Sequence, residues 1–237
     1  TRQRLEKEFW PSGLVKRGHF FMLGMPGAIV LVAEGYATAA SLHEATGLPV
    51  AVCFDAGNIA PVAAALRKRH KQTKILVCAD DDDTQKCQHE DCRQRVWVSD
   101  GPDCPHCGRP HKAQNAGVSC ASAAAMEVDG AWMAPEFADQ AARRTAWLDK
   151  GVKTNDFNDL HVAEGLHVVR NQVQARLSAL NWRVAEPRLA RATAPGGAGN
   201  APENERLRPI DSLDELLERY ALVYGQGGTL FDHQEHL

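Results

Sequence analysis

Two groups of residues in this chain have types and spacings suited to chemistry. The first is acidic. Glu34 ends an apolar run at residues 29–33, and Asp80, Asp81, Asp82 and Asp83 follow a second run at residues 74–79. Residues two apart in an extended segment point the same way, so Asp80 and Asp82 can face one place together. Three or more carboxylates gathered there repel one another unless a cation neutralises them. Oxygen-only ligation suits Mg²⁺ or Mn²⁺, and such an ion stabilises charge on a transferring phosphate, which points to phosphoryl or nucleotidyl transfer. A run of four aspartates is equally the composition of a solvated loop.

The second group is sulfur-rich. Cys87 and Cys92 are separated by four residues, and after eleven more come Cys104-Pro105-His106-Cys107-Gly108. Two close pairs joined by a short loop have the spacing of a tetrahedral structural zinc site. The Cys-Pro-x-Cys-Gly knuckle resembles a zinc ribbon, with Val96-Trp97-Val98 as a strand of its hairpin. The four-residue gap in the first pair is wider than usual, which leaves His89, His106 and His111 as substitute ligands. Disulfides are the competing account of the seven cysteines. The remaining three, Cys53, Cys78 and Cys120, sit singly in apolar contexts and read as small buried hydrophobes. Bound zinc in a reducing, cytoplasmic compartment fits all seven better than disulfides do.

The elements that must position these groups follow from hydrophobic patterning. Apolar runs at 29–33, 49–54 and 74–79 read as buried strands, and the stretches at 37–46 and 60–70 read as helices between them. Gly47 is suited to ending the first helix, and Pro61 to opening the second. Strand–helix–strand alternation at this spacing signals a parallel α/β sheet. The rhythm breaks at 84–112, where Cys, His, Gly and Pro cluster. It returns with a helix at 115–127 and a short strand at 130–134, so residues 84–112 read as an insertion into a loop of the sheet. A less regular break covers 135–153, and a helix is expected from about 160 to 180. Residues 1–28 read as a polar lead-in, 183–209 as a flexible linker rich in Pro and Gly, and 210–237 as a helical tail or the start of a following module.

With 27 Lys+Arg against 30 Asp+Glu among 237 residues, the chain carries a formal charge of −3. Its composition is that of an ordinary globular protein, not a disordered or collagen-like one. The longest uninterrupted apolar run is far too short to span a bilayer, which argues against a membrane-spanning helix. Residues 165–209 hold seven arginines against three glutamates, net +4, whereas 210–237 is net −5. Any nucleic-acid affinity of this fragment is expected to be weak and salt-sensitive. The chain opens on Thr1 and has no signal-peptide pattern, and it reads as an excerpt of a longer protein.

These motifs together resemble the Toprim domain, shared by bacterial-type primases, topoisomerases, OLD-family nucleases and recombination-mediator proteins. Val32-Ala33-Glu34-Gly35-Tyr36-Ala37-Thr38-Ala39 is similar to the first motif of phage-, plasmid- and mobile-element primases. Phe54-Asp55-Ala56-Gly57-Asn58 with Pro61-Val62-Ala63 resembles their second strand and helix. Ala79-Asp80-Asp81-Asp82 followed by Asn115-Ala116-Gly117-Val118 resembles their metal motif, and Asp156-Phe157-Asn158-Asp159-Leu160 their late acidic motif. The resemblance covers roughly residues 18–175. It implies a Toprim (Rossmann-like) parallel sheet at 29–83 and 113–182 with an inserted zinc ribbon at 84–112.

The resemblance also implies roles. Glu34 is the general acid/base or a carboxylate next to the metal, Asp80 and Asp82 are direct Mg²⁺ or Mn²⁺ ligands, and Asp156 and Asp159 are partners for a second ion. Asn58 holds a turn and reaches the nucleotide. Lys153 neutralises a phosphate or stands solvated. Cys87, Cys92, Cys104 and Cys107 hold structural Zn²⁺. The activity implied is synthesis of RNA primers from ribonucleotide triphosphates on single-stranded DNA by metal-dependent nucleotidyl transfer, with a helicase or other replication module in the same or a partner chain. Residues 221–228 resemble the opening of such a module, although no Lys-Ser/Thr follows their glycines to complete a phosphate loop. Two rivals share the carboxylates or the zinc: a Toprim nuclease that hydrolyses phosphodiesters, and a non-catalytic recombination-mediator-like DNA-binding module. In the latter family the zinc element precedes the Toprim domain, whereas here it lies inside it.

Overall fold

In the computed structural model, which describes residues 15–112 and 115–183, the apolar runs become strands. The first four are β1 (Phe21–Leu23), β2 (Ile29–Ala33), β3 (Val50–Val52) and β4 (Lys74–Cys78). A separate hairpin follows, formed by β5 (Thr84–Lys86) and β6 (Arg95–Trp97), and β7 (Ala131–Met133) comes last. The main sheet has the order β1-β3-β2-β4-β7. β3, β2, β4 and β7 run parallel, and β1 pairs antiparallel with β3 at one edge. The result is a mostly parallel α/β sheet with helices on both faces and a small cysteine-bearing insertion.

Because side chains alternate along a strand, β2 and β4 each feed two cores. Leu31, Ala33, Leu76 and Cys78 face the layer made by α1 (Tyr36–Thr46), α5 (Phe157–Glu164) and α6 (Leu166–Ala179), where Leu42, Phe157, Leu160, Val169 and Val173 complete the packing. Val30, Val32, Ile75 and Val77 face α2 (Ile59–Arg69) and α3 (Ala116–Glu127), packing on Val62, Leu66, Ala121 and Ala124. A strand buried on both sides has no polar alternation. That is why β2 and β4 read as unbroken apolar runs.

Three differences from the sequence expectations have local causes. The lead-in contributes β1, whose three half-buried residues are too few for a recognisable period. The irregular stretch at 135–153 contains α4 (Gln140–Thr145), which runs directly into a π-helical turn at Ala146–Lys150. The single helix expected at 160–180 is two, beginning at Phe157 and broken at Gly165. That residue's φ of +94° suits glycine and turns the chain between α5 and α6. Cys53 and Cys78 are buried as expected, and burial pushes both thiols far up. Cys120 is exposed on α3, which corrects its reading as a buried hydrophobe. The segments expected as linker and following module lie, apart from Arg183, outside the described residues. Among the described residues no helix is long and apolar enough to cross a membrane.

Candidate functional site

In a parallel sheet, loops converge at the carboxyl ends of the strands, and here those ends deliver the acidic groups. Glu34 follows β2, and Asp80 lies two residues past β4. Phe54, at the end of the β3 strand segment, takes a left-handed φ of +63° while its N–H donates to the Glu34 carbonyl at 2.7 Å. A bulky residue held there is strained unless its surroundings fix it. The hydrogen bond to Glu34 is one thing that does so.

The four aspartates alternate in direction. Asp82 turns inward: its Oδ2 accepts from the Gly117 N–H at 3.0 Å, and its Oδ1 accepts from Lys153 Nζ and Asn155 Nδ2, each at 3.2 Å. Asp81 and Asp83 turn toward the other side, where Arg143 and Ser99 meet them at 2.5 Å and 2.9 Å. Asp80 is the most confined. Its Oδ1 is buried with no hydrogen-bond partner among the described residues. Burial, reinforced by the charges of Glu34, Asp156 and Asp82, pushes its carboxyl from the ordinary value of 3.8 up to about 7, against the opposing pull of Lys153. The three neighbours that act on Asp80 are carboxylates proposed from sequence. The fold therefore brings Glu34, Asp80, Asp82 and Asp156 into one electrostatic neighbourhood.

Three helices begin at this edge. α1 starts two residues after Glu34, and its buried Thr38 donates to Asp156 Oδ2 at 2.9 Å. Asp156 caps α5, accepting from the Asp159 N–H through Oδ1 at 2.7 Å. Asp159 closes the capping box: its Oδ2 accepts from the Asn155 N–H at 2.7 Å and, more loosely, from the Asp156 N–H at 3.4 Å. This places Asp159 as a cap, turned to backbone amides. α3 starts beside the aspartate loop. Its N-cap residue Asn115 accepts from the Val118 and Asp82 N–H groups and donates to Asp81 Oδ1. A Cβ on Gly117 would lie 2.2 Å from the Asp80 carbonyl oxygen, so only glycine lets α3 approach this closely.

Asn58 holds a turn, as expected, and also ties it to the lead-in. It is 3% exposed, and its amide donates to the His19 and Cys53 carbonyls and accepts from the Gly18 N–H, pinning the lead-in to the end of β3. Lys153 lies at the carboxylates, with half its side chain open to solvent.

The insertion gathers Cys87, Cys92, Cys104 and Cys107 so that their sulfurs all lie within 4.8 Å of one another. The pairs Cys87–Cys107 and Cys92–Cys104 are each separated by 3.8 Å. A tetrahedral ion with Zn–S bonds of 2.3 Å requires S···S separations of about 3.8 Å, so the donor set fits Zn²⁺. Gly108 adopts φ +66° and donates to the Cys104 carbonyl, closing the knuckle. Arg109 beside Cys107 pulls that thiol down to about 6, which favours a thiolate there, whereas burial and the neighbouring sulfurs push Cys87 up to about 12 and Cys92 up. The histidines are placed elsewhere: His89 and His106 have ring nitrogens against the Pro110 and Arg95 carbonyls, and the four sulfurs form the cluster without them.

The ribbon packs on α4 and the π turn. Trp147 donates to the Val96 carbonyl at 2.9 Å, and Arg95 to the Leu148 carbonyl at 2.9 Å. A cleft of about 680 Å³ opens along this seam, lined by Lys86, Arg93, Arg95, His106 and Arg144 with Asp100 and Asp149. Sequence reasoning assigned no role to Arg143, Asn155, Asn115 or Thr38, although Asn115 and Thr38 lie within the quoted motifs. Asn115 and Asn155 also carried a signal as short polar residues before helices. Arg143 carried none, because its partners are remote in the chain.

A model of the Toprim domain family matches residues 29–167. Two curated relatives from Escherichia coli, both called DNA primase TraC, are each 36% identical over 72 residues. The match takes in 28% of this chain and only 7% and 5% of theirs, so the chain spans a small part of the relatives' length. No solved structure matches the chain.

Proposed function

The chain belongs to the Toprim domain family, and we propose that it is the catalytic part of a DNA primase of the phage, plasmid or mobile-element kind. On this reading it makes RNA primers by joining ribonucleotides on a single-stranded DNA template. The observation that carries the proposal is the confinement of Asp80 among Glu34, Asp82 and Asp156. A buried carboxylate oxygen without a partner, surrounded by like charges, is a poor arrangement for a bare protein and a suitable one for a divalent cation. The similarity to proteins called DNA primase supports the substrate class.

Asp80, Asp82, Glu34 and Asp156 are the residues proposed to hold Mg²⁺ or Mn²⁺. When bound, the ion supplies charge stabilisation at the transferring phosphate. Asp80 releases its proton on loading. Glu34, next to α1, is the group proposed to take or return a proton at the reacting hydroxyl. Lys153, paired with Asp82 at 3.2 Å, is available to exchange that carboxylate for a substrate phosphate. The N-termini of α1, α3 and α5 direct backbone N–H groups and partial positive charge toward the same edge, favouring an anionic substrate there. The basic cleft along the ribbon seam is suited to template phosphates, and the four-cysteine cluster is proposed as a structural zinc site. Clustered thiolates suited to zinc favour a reducing, cytoplasmic setting, and a helicase or other replication module is the proposed partner.

The test is primer synthesis on single-stranded DNA with Mg²⁺ or Mn²⁺, using the full parent protein and its Asp80→Ala/Asp82→Ala variant. Synthesis by the parent and none by the variant is expected. Primer synthesis that persists in the variant refutes the assignment. Template degradation by the parent without synthesis assigns the same carboxylates to hydrolysis.

A further inference from the structure

Arg143 is 5% exposed and lies between the two candidate metal sites. Its Nη1 donates to Asp81 Oδ2 at 2.5 Å and its Nη2 to the Asp81 carbonyl at 3.1 Å, while its Nε donates to the Thr154 carbonyl at 2.7 Å. The guanidinium carbon Cζ lies 4.9 Å from the ring centroid of Trp97 and 4.6 Å from that of Phe137. These partners belong to separate parts of the fold. Asp81 sits between Asp80 and Asp82, and Thr154 precedes the Asn155-Asp156 pair. Phe137 belongs to the main core, and Trp97 ends the ribbon strand β6. Val96 and Val98, on either side of Trp97, pack with Cys87 and Cys104. The Asp81 N–H in turn donates to the Asn155 carbonyl at 2.7 Å, tying the two acidic segments together.

We propose that Arg143 is a positioning residue through which the zinc-loaded ribbon orients the carboxylates of the divalent-cation site, so that zinc loading and Mg²⁺ or Mn²⁺ affinity are coupled. The guanidinium fork holds Asp81 by both its carboxylate and its carbonyl, and in so short a loop the adjacent residues cannot rotate independently of it. Holding Asp81 outward therefore holds Asp80 and Asp82 inward. Trp97 and Phe137 are the two aromatic neighbours that help keep the cation desolvated. Losing zinc removes the order that holds Trp97, and with it one of these neighbours. Groups that orient metal ligands in this way typically change affinity by 10–100-fold, and linkage makes the effect reciprocal.

The inference rests on the reading of Glu34, Asp80, Asp82 and Asp156 as a divalent-cation site, and the experiment separates the two. Mn²⁺ binding to the whole chain is followed by electron paramagnetic resonance, with zinc content and circular dichroism recorded for each variant. Wild-type protein is expected to bind Mn²⁺, and Asp80→Ala/Asp82→Ala to lose it; equal binding by both overturns the site reading itself. Arg143→Lys is expected to keep one zinc per chain and lose about 10-fold or more in Mn²⁺ affinity. Trp97→Leu, which leaves the hydrogen bonds of Arg143 in place, should lose less. Cys104→Ser should lower Mn²⁺ affinity on its own and add nothing when combined with Arg143→Lys. Wild-type Mn²⁺ affinity in folded Arg143→Lys and Trp97→Leu overturns the coupling while leaving the site reading intact.

Discussion

Replacing Asp80 with asparagine should stabilise the protein at alkaline pH, in buffer without Mg²⁺ or Mn²⁺, by more than it does at pH 5. The carboxyl of Asp80 is raised from 3.8 to about 7 by burial and by Glu34, Asp156 and Asp82. In the unfolded chain it ionises near 3.8, whereas the folded protein holds the proton to about 7. The folded state therefore binds more protons across that window, stability falls as pH rises through it, and the full cost is present above pH 7. Asparagine has no such titration. Between pH 5 and the folded value the wild type loses about 2.7 kcal/mol, at 1.36 kcal/mol per pH unit. Allowing for side-chain relaxation and partial solvation, a widening of about 1.5–2.5 kcal/mol is expected. For a protein of this size that is about 3–10 °C in melting temperature. The assay is thermal denaturation by circular dichroism at pH 5 and pH 8.5, with zinc retained. Comparing the variant-minus-wild-type difference at the two pH values cancels the steric cost of the amide and the titration of groups that do not interact with Asp80, leaving Asp80 and its coupling to Glu34, Asp82 and Asp156. Adding Mn²⁺ at pH 8.5 should then raise the wild type and leave Asp80→Asn nearly unmoved. A variant-minus-wild-type difference that is equal at the two pH values refutes the claim that like-charge crowding burdens Asp80.

Three further outcomes are expected. Cys104→Ser should reduce zinc content below one per chain by atomic absorption and lower the melting temperature, and unchanged stoichiometry would reject the four-sulfur assignment. Gly117→Ala, whose Cβ would fall 2.2 Å from the Asp80 carbonyl oxygen, should cost about 2 kcal/mol or more by urea titration and weaken Mn²⁺ binding. A neutral effect on both would show that α3 does not need its close approach. Lys86→Glu/Arg93→Glu should weaken single-stranded DNA binding in fluorescence anisotropy and flatten its dependence on the logarithm of salt concentration by about 1–2, whereas an unaltered slope would remove the seam cleft from the template path.

The central strands and the order of the acidic motifs were legible in the sequence because both depend on local pattern. β2 and β4 are apolar at nearly every position, and a strand buried on two faces has no other way to be written. The sulfur cluster was legible for a similar reason, since ligand spacing within a short loop is nearly a local property. That Asn58 holds a turn was legible, but its link to the lead-in was not, because Gly18 and His19 lie about 40 residues away in a segment without a readable period. Asp159 looks like a ligand in a one-letter string, yet its position three residues after Asp156 also satisfies a capping box, and the structure uses it that way. Arg143 was invisible. It sits on a six-residue helix, and its importance lies entirely in contacts with Asp81, Trp97, Phe137 and Thr154.

The hairpin β5–β6 grows from Thr84, immediately after the four aspartates, and the chain returns to them at Asn115, which binds the Asp82 N–H across 33 residues. Forming that contact in an open chain means closing a loop of that whole length. With Cys87 and Cys107 held 3.8 Å apart, the path shortens to five residue steps before the cluster and eight after it. Closure entropy grows with the logarithm of loop length, so this short-circuit lowers the cost of docking α3 by about 0.8 kcal/mol. With a metal holding the four sulfurs, the insertion that interrupts the sheet in sequence would make the two ends of the interruption easier to join.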